Sequence, residues 1–122
     1  MKTLLIGATG LLGHALWRDW SRRPGWSVLG TSLGLPLPGL ENLDVLDRKA
    51  LAGIFDRHRP QAAVLLASDP FVDGCQADPK RSRPLNVGAA CAAAQEAARV
   101  GSRFVFFSSD YVFDGAKAPY AE

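Results

Sequence analysis

The chain has 122 residues, of which 48% are hydrophobic and 21% are charged, and its formal net charge is +2. This length and composition are typical of one globular domain of about 100–150 residues. The charge is too small to indicate nucleic acid or a membrane surface. In addition, no apolar run reaches the roughly 18 residues that span a bilayer, and no secretory signal opens the chain. We therefore expect neither a nucleic acid nor a membrane as a partner.

Cys75 and Cys91 are the two cysteines, and neither lies in a cluster of histidines. Metal sites and disulfide frameworks use more cysteine or histidine than this. We therefore expect two reduced cysteines, no metal site and a cytoplasmic protein.

The stretch from Lys2 to Gly13, KTLLIGATGLLG, predicts a strand, a glycine turn and a helix in that order. In a dinucleotide-binding βα unit the first glycine allows a sharp turn, the second lets a pyrophosphate approach and the third lets the helix pack closely. Unpaired amides at the helix start favour phosphate. The spacing is G-x-x-G-x-x-G, so a strand-to-helix turn with incidental glycines is the alternative interpretation.

The next two predicted elements are a helix from about Leu11 to Arg22 and a strand from Trp26 to Thr31. Four residues at helical spacing are expected to face the sheet: Leu12, Ala15, Leu16 and Trp20. An acidic residue at the end of the second strand would accept hydrogen bonds from a ribose 2′-hydroxyl and disfavour a 2′-phosphate. Thr31 and Ser32 stand there instead, which favours NADP(H) over NAD(H), although no arginine follows directly.

A short third strand near 40–43 is followed by a predicted helix from Arg48 to His58 with Asp47 as its N-cap. Its expected buried residues are Leu51, Ile54 and Phe55. The continuous apolar run 62–67 predicts a strand that is buried on both faces, as in a parallel sheet covered by helices.

Residues 69–84 are polar and include Lys80, Arg81 and Arg83, which we interpret as a solvated face, with a nucleotide-sugar phosphate as an alternative partner. Asp78-Pro79 predicts a helix start, and an alanine-rich helix is expected to run from Leu85 to Val100 and stop at Gly101. Its small side chains allow close packing against a sheet or a second subunit, so a homo-oligomer is also considered.

A fifth strand is predicted from Arg103 to Ser108. Strands that alternate with helices indicate an α/β fold, here a Rossmann-like, doubly wound parallel sheet with helices on both faces. Ligands bind at the carboxyl ends of such strands. The residues expected at that edge are Gly7, Thr31, Asp44, Ala67 and Ser109.

Six motifs together resemble the dTDP-4-dehydrorhamnose reductase group of the extended short-chain dehydrogenase/reductase superfamily, which includes the regulatory β subunit of methionine adenosyltransferase. They are GATGLLG (7–13), DVLD (44–47), VDGCQADP (72–79), LNV (85–87), SSDYVFDG (108–115) and PYAE (119–122).

This resemblance implies a cofactor site of NADP(H) or NAD(H) and a nucleotide-sugar substrate. The pyrophosphate would lie on the first motif, the adenine beside Asp44 and Val45, and the nicotinamide-side ribose beside the segment 66–68. The implied cofactor-binding residues are Gly7, Thr9, Gly10, Leu11, Leu12, Gly13, Thr31, Ser32, Asp44, Val45, Leu66, Ala67 and Ser68. Ser109 matches the catalytic residue that hydrogen-bonds the substrate carbonyl, Asp110 and Tyr111 match sugar-site residues, and Asn86 matches a structural or proton-relay asparagine.

The sequence departs from the group in two ways. After the fourth strand, the usual asparagine and alanines are replaced by Leu65-Leu66-Ala67-Ser68. No Tyr-x-x-x-Lys pair is present, because the residue four positions after Tyr111 is Gly115 and the 122 residues contain no position four after Tyr120. The fifth strand also has no predicted helix after it to cover one of its apolar faces. We therefore expect residues 1–122 to be the NAD(P)-binding part of a longer protein, truncated after the fifth strand and inactive alone.

Three functions are compatible with these observations. The first is the cofactor-binding portion of a nucleotide-sugar reductase that transfers a hydride from NAD(P)H to a 4-keto sugar. The alternative is a non-catalytic, NADP-binding regulatory protein like the adenosyltransferase β subunit. A nucleotide-binding domain used only for assembly is a third reading.

Overall fold

A computed structural model describes residues 1–34, 37–116 and 119–120. The strands are β1 (Lys2–Ile6), β2 (Ser27–Ser32), β3 (Leu40–Asn42), β4 (Ala62–Leu65) and β5 (Arg103–Phe106). The helices are α1 (Leu11–Trp20), α2 (Arg48–His58), α3 (Val72–Ala77), α4 (Pro79–Arg83) and α5 (Ala90–Val100). A π-helical segment (Pro84–Ala89) joins α4 to α5, and a short 3₁₀ turn (Asp110–Val112) follows β5.

The five strands form one parallel sheet in the order β3-β2-β1-β4-β5. This order places β1 at the centre, where Leu4 and Leu5 are both fully buried on opposite faces. Helices cover both faces of the sheet, which confirms the predicted Rossmann-like fold.

Two apolar clusters hold the helices to the sheet. On one face α2 and α5 pack over a cluster whose largest members are Leu4, Ile6, Leu43, Leu51, Ile54, Phe55 and Leu65. On the other face α1 packs over a smaller cluster built on Leu5, Ala8 and Val64. Five alanines of α5 and the preceding segment belong to the larger cluster or pack against it, and their small side chains allow the helix to approach the sheet closely. They are Ala89, Ala90, Ala92, Ala93 and Ala97.

The inward face of α1 differs from the prediction. Leu16 and Trp20 pack on the sheet as expected, but Leu12 and Ala15 are exposed and Trp17 packs in their place. The reason is the helix phase, because Gly13 is buried against the glycine turn and sets an inward stripe at 13, 16, 17 and 20. The helix also ends at Trp20 rather than Arg22.

The helix α2 matches its prediction at both ends. The Asp47 carboxylate accepts hydrogen bonds from the backbone amides of Lys49 and Ala50 at 2.9 and 3.0 Å. This contact satisfies two amides that the first turn of a helix leaves unpaired. The predicted inward residues Leu51, Ile54 and Phe55 are buried.

The polar stretch after β4 contains more helix than predicted. α3 was not predicted, whereas the predicted start at Asp78-Pro79 is confirmed by the hydrogen bond that the Arg81 amide donates to the Asp78 carboxylate. The helix then continues through Pro84, whose ring lacks an amide hydrogen and would clash with a carbonyl one turn earlier. The chain widens there into the π-helical segment before α5 ends, as predicted, at Gly101 with φ +72°.

The strand β5 lies at one edge of the sheet and is only partly covered. Phe104 packs against the core of α5, while Val105, Phe106 and Phe107 are 38%, 50% and 49% exposed. Among the described residues, none of the helices is both long and apolar enough to cross a membrane.

Candidate functional site

A cleft of about 330 Å³ opens at the carboxyl edge of the sheet, which falls within the usual size range of small-molecule sites. The loops after β1, β2, β3 and β4 meet there, as the topology requires. The predicted cofactor residues that line it are Gly7, Thr9, Gly10, Thr31, Ser32, Asp44, Val45, Leu66, Ala67 and Ser68.

Gly7 closes the turn that begins the cleft. Its φ of +95° is a conformation that residues other than glycine disfavour. A Cβ atom there would also lie 2.7 Å from the Ala67 nitrogen, which leaves no room for a side chain. Its amide donates to the Thr31 hydroxyl at 3.4 Å. Gly7 therefore brings the ends of β1, β2 and β4 together.

Gly13 and Gly10 differ in what the fold demands of them. A Cβ on Gly13 would lie 2.2 Å from the Gly7 carbonyl oxygen, so α1 can approach the turn only with glycine there. A Cβ on Gly10 would meet a single atom, the same oxygen, at an ordinary contact distance of 3.7 Å. The protein itself therefore has room for a side chain at Gly10, which is one of the residues that line the cleft.

The first turn of α1 begins at the cleft without a side-chain cap. Gly10 is the N-cap, its backbone is extended, and no side chain caps the helix. Leu11 is 96% exposed, and neither Leu11 nor Leu12 lines the cleft through its side chain. An uncapped helix start carries a partial positive charge and binds anions through its amides.

The end of β2 forms the second wall of the cleft. Thr31 and Ser32 are buried, and their carbonyl oxygens accept hydrogen bonds from the amides of Ala8 and Leu43 at 2.7 and 2.8 Å. Across from them, the Asp44 carboxylate accepts from the Leu46 amide at 2.9 Å. Asp44 is the only charged side chain in the described lining of the cleft.

The segment after β4 forms the third wall. The Leu66 and Ala67 amides both donate to the Ile6 carbonyl oxygen, at 2.8 and 3.1 Å. Asn86, in the π-helical segment, accepts from the Asp69 amide at 2.8 Å and donates to the Asp69 carbonyl oxygen at 3.0 Å. In this structure Asn86 thus acts as an anchor for the loop.

The predicted substrate residues lie apart from this cleft. Ser109, Asp110 and Tyr111 follow β5, all three are exposed, and none lines the cleft. Further along, the Tyr120 hydroxyl and the Ala116 amide donate to the Asp114 carboxylate, and these bonds lower the pKa of that carboxyl. Of the PYAE motif, only residues 119 and 120 lie within the described residues.

Five lining residues were not predicted from the sequence. They are all apolar: Ile6, Leu33, Leu43, Leu46 and Leu85. In the sequence they have the same pattern as core positions, and only their place at the ends of strands or after the polar loop could have indicated a ligand cleft.

The described residues contain no group of three or more His, Cys, Asp or Glu side chains that could hold a metal ion. Cys75 and Cys91 are both free thiols.

Comparison with curated proteins gives a match over the whole chain. The sequence family described as RmlD substrate binding domain matches residues 1–122. Methionine adenosyltransferase 2 subunit beta of Rattus norvegicus is 35% identical over 121 residues, which are 99% of this chain and 36% of that protein. A dTDP-4-dehydrorhamnose reductase of Burkholderia thailandensis is 33% identical over 123 residues, covering 100% of this chain and 38% of the reductase. The chain therefore spans little more than a third of the length of these curated relatives.

Solved structures give the same result. A hypothetical dTDP-4-dehydrorhamnose reductase from Sulfolobus tokodaii is 31% identical, with a TM-score of 0.89 over 100% of this chain and 44% of that one. A dTDP-4-dehydrorhamnose reductase of Bacillus anthracis in complex with NADP has a TM-score of 0.82 over 96% of this chain and 39% of that one, and its 21% identity supports the fold alone. The chain belongs to the RmlD substrate-binding domain family, and its resemblance to the dTDP-4-dehydrorhamnose reductase group of the extended short-chain dehydrogenases/reductases is confirmed.

Proposed function

We propose that residues 1–122 form the NAD(P)-binding portion of a nucleotide-sugar reductase that resembles dTDP-4-dehydrorhamnose reductase. The observation that carries this proposal is the space at Gly10. The fold does not require glycine there, and Gly10 lines the cleft at an uncapped helix start. A ligand phosphate that approaches the backbone closely accounts for this glycine.

The walls of the cleft suit the parts of a dinucleotide. In our proposal the amides of 7–13 hold the pyrophosphate, while Thr31 and Ser32 lie beside the adenosine ribose. Asp44 and Val45 accommodate the adenine, and the segment 66–68 contacts the nicotinamide-side ribose. No carboxylate stands at the end of β2 to disfavour a 2′-phosphate, which supports NADP(H). The described lining of the cleft also contains no cationic side chain to bind that phosphate, so NAD(H) remains the alternative.

In the reductase function, the nicotinamide ring supplies the hydride to a 4-keto sugar when the cofactor is bound. Ser109 would donate a hydrogen bond to the substrate carbonyl, and Asp110 and Tyr111 would shape the sugar site. A Tyr-x-x-x-Lys pair, which would supply the proton, is absent from these 122 residues. We therefore expect residues 1–122 to bind the cofactor without reducing a sugar.

A second candidate function follows from the curated relatives. Methionine adenosyltransferase 2 subunits beta from several vertebrates match 99% of the chain at 33–36% identity. The alternative is therefore a non-catalytic NADP-binding protein that regulates another enzyme. Both functions use the same cofactor cleft, and they differ in what the protein does once the cofactor is bound.

Calorimetric titration of residues 1–122 with NADPH and NADH tests the shared part of the proposal. We expect saturable binding of at least one of them, and a folded chain that binds neither would contradict the proposal. Oxidation of NADPH on addition of a dTDP-4-keto sugar would contradict the expected inactivity of these residues. A stable complex with a methionine adenosyltransferase would favour the regulatory alternative.

A further inference from the structure

Several hydrogen bonds hold the loop that follows β4 at one residue, Asp69. Its backbone amide and carbonyl are both hydrogen-bonded by Asn86. Its carboxylate accepts the Phe71 amide at 3.1 Å through Oδ1 and the Arg81 guanidinium at 2.9 Å through Oδ2. Asp69 thereby connects the loop to the π-helical segment and to α4.

The connection to Arg81 was not expected from the sequence, in which Arg81 belongs to a basic stretch interpreted as a solvated face. The Asp69 side chain is only 20% exposed, while the Arg81 side chain is 57% exposed. The pair joins the loop after β4 to α4, twelve residues further along the chain, whereas a purely solvated arginine would join no other element. A charge-assisted hydrogen bond of this kind fixes orientation as well as distance.

The residues just before Asp69 form the third wall of the cleft. Leu66, Ala67 and Ser68 line it, and the strand β4 has already ended at Leu65, so no sheet partner fixes this wall beyond the bonds to Ile6. Its position therefore depends on those two bonds at one end and on what holds Asp69 at the other. In the Rossmann topology the strand order reverses between β1 and β4, so β4 lies on the nicotinamide side of this switch point and β1, β2 and β3 lie on the adenosine side.

We propose that Asp69, through its ion pair with Arg81, is a positioning residue for the nicotinamide half of the bound dinucleotide. This inference rests on the proposed function. Asp69 does not line the cleft; it fixes the wall 66–68 that does. The adenosine half is held by elements that Asp69 does not touch, so its binding should be independent of the pair.

The test compares a whole dinucleotide with its adenosine half. The affinities of NADPH, NADH and ADP are measured by calorimetry on residues 1–122 and on Asp69→Ala, Arg81→Gln and Arg81→Lys. We expect Asp69→Ala and Arg81→Gln to raise the Kd of the dinucleotide about tenfold, the scale of losing one charge-assisted hydrogen bond, and to change the Kd of ADP less than about twofold. Arg81→Lys, which keeps the charge, should recover part of the loss.

Asp73→Ala and Arg22→Gln are matched controls, because both residues are exposed and neither has an ion pair among the described residues. They should leave both affinities unchanged. Equal losses for dinucleotide and ADP, or no loss for either, would overturn the positioning role while leaving the proposed function intact. If the unaltered chain binds ADP as tightly as the dinucleotide, the positioning role also fails. If it binds neither ligand, the proposed function fails together with the inference.

Discussion

Gly7, Gly10 and Gly13 are evenly spaced in the sequence, but different physical constraints act on them. Gly7 is fixed by its positive φ and by the nearby Ala67 backbone, and Gly13 by the Gly7 carbonyl. These two glycines serve the fold. Gly10 meets no such constraint, and in our proposal it is glycine because the ligand approaches the backbone there.

Alanine substitutions should separate these roles. We expect Gly13→Ala to lower the free energy of unfolding by about 2–3 kcal/mol, because the added methyl overlaps the Gly7 carbonyl. Gly10→Ala should change it by less than about 1 kcal/mol, the usual range for an N-cap glycine. The same Gly10→Ala variant should raise the dinucleotide Kd at least about tenfold.

Urea unfolding and calorimetry on each variant provide these measurements. Gly53→Ala is the matched control, because Gly53 lies inside α2, and its added Cβ would meet only the flexible end of Arg57. It should leave ligand binding unchanged and slightly stabilise the helix. A Gly10→Ala variant that binds the dinucleotide normally would remove the main support for the proposed site.

At the scale of elements, α2 shows how one side chain can define a helix boundary. Asp47 accepts two amides of the first turn, and no other side chain caps that end. We expect Asp47→Ala to lower the free energy of unfolding by about 1 kcal/mol, and Asp47→Asn to retain most of that stability because its amide oxygen still accepts. Equal losses in the two variants, measured by urea denaturation, would show that the hydrogen bonds accepted by residue 47 do not account for the stability.

The contact between α2 and α5 should make stability depend on pH. Arg99 donates to the Asp56 carboxylate at 2.8 Å, and this bond lowers the pKa of the Asp56 carboxyl below its model-compound value of 3.8. A carboxyl whose pKa is lower in the folded state stabilises the fold above the unfolded-state pKa, and that stabilisation is lost as pH falls through the folded-state pKa.

Asp56→Asn removes the charge from this pair. The urea midpoint of the variant should therefore lie below that of the unaltered chain at neutral pH, and the gap should close on acidification below pH 3.8. Asp73→Asn, at an exposed carboxylate without an ion pair among the described residues, should show no such gap. A gap that widens on acidification would contradict the assigned pair.

The sequence contained enough information for the strands and for α2, because apolar runs, an Asp cap and helical spacing are local signals. It did not predict α3, whose six residues include glycine and have no capping side chain. The exposure of Leu12 also depended on a tertiary contact, the burial of Gly13. Likewise, the polar and glycine residues of the cleft were predicted, but apolar residues such as Leu33 and Leu46 were not distinguishable from core.

At the scale of the whole molecule, the sheet is well covered except at β5. Val105 in β5 and Phe107 just after it are 38% and 49% exposed, at one edge of the sheet. Contiguous apolar surface and an open strand edge both favour association between chains. We expect residues 1–122 to self-associate as the concentration rises.

Val105→Lys should reduce this association, because a charge on an edge strand disfavours pairing with another chain. Val87→Lys is the matched control, since Val87 is 49% exposed but lies in the π-helical segment. Sedimentation velocity across a concentration series would measure both variants. If the unaltered chain stays monomeric throughout, or if the two variants behave alike, β5 is not the associating surface.

The most direct test of the central claim is an NMR titration of residues 1–122 with NADPH, read amide by amide. We expect saturable shifts at the carboxyl edge of the sheet, in the segment 7–13 and at Thr31, Asp44 and Ala67. Residues at the opposite edge, around Lys2 and His58, should not respond. No saturable shifts from a folded chain, or shifts concentrated at that opposite edge, would contradict the assignment of this cleft to a dinucleotide.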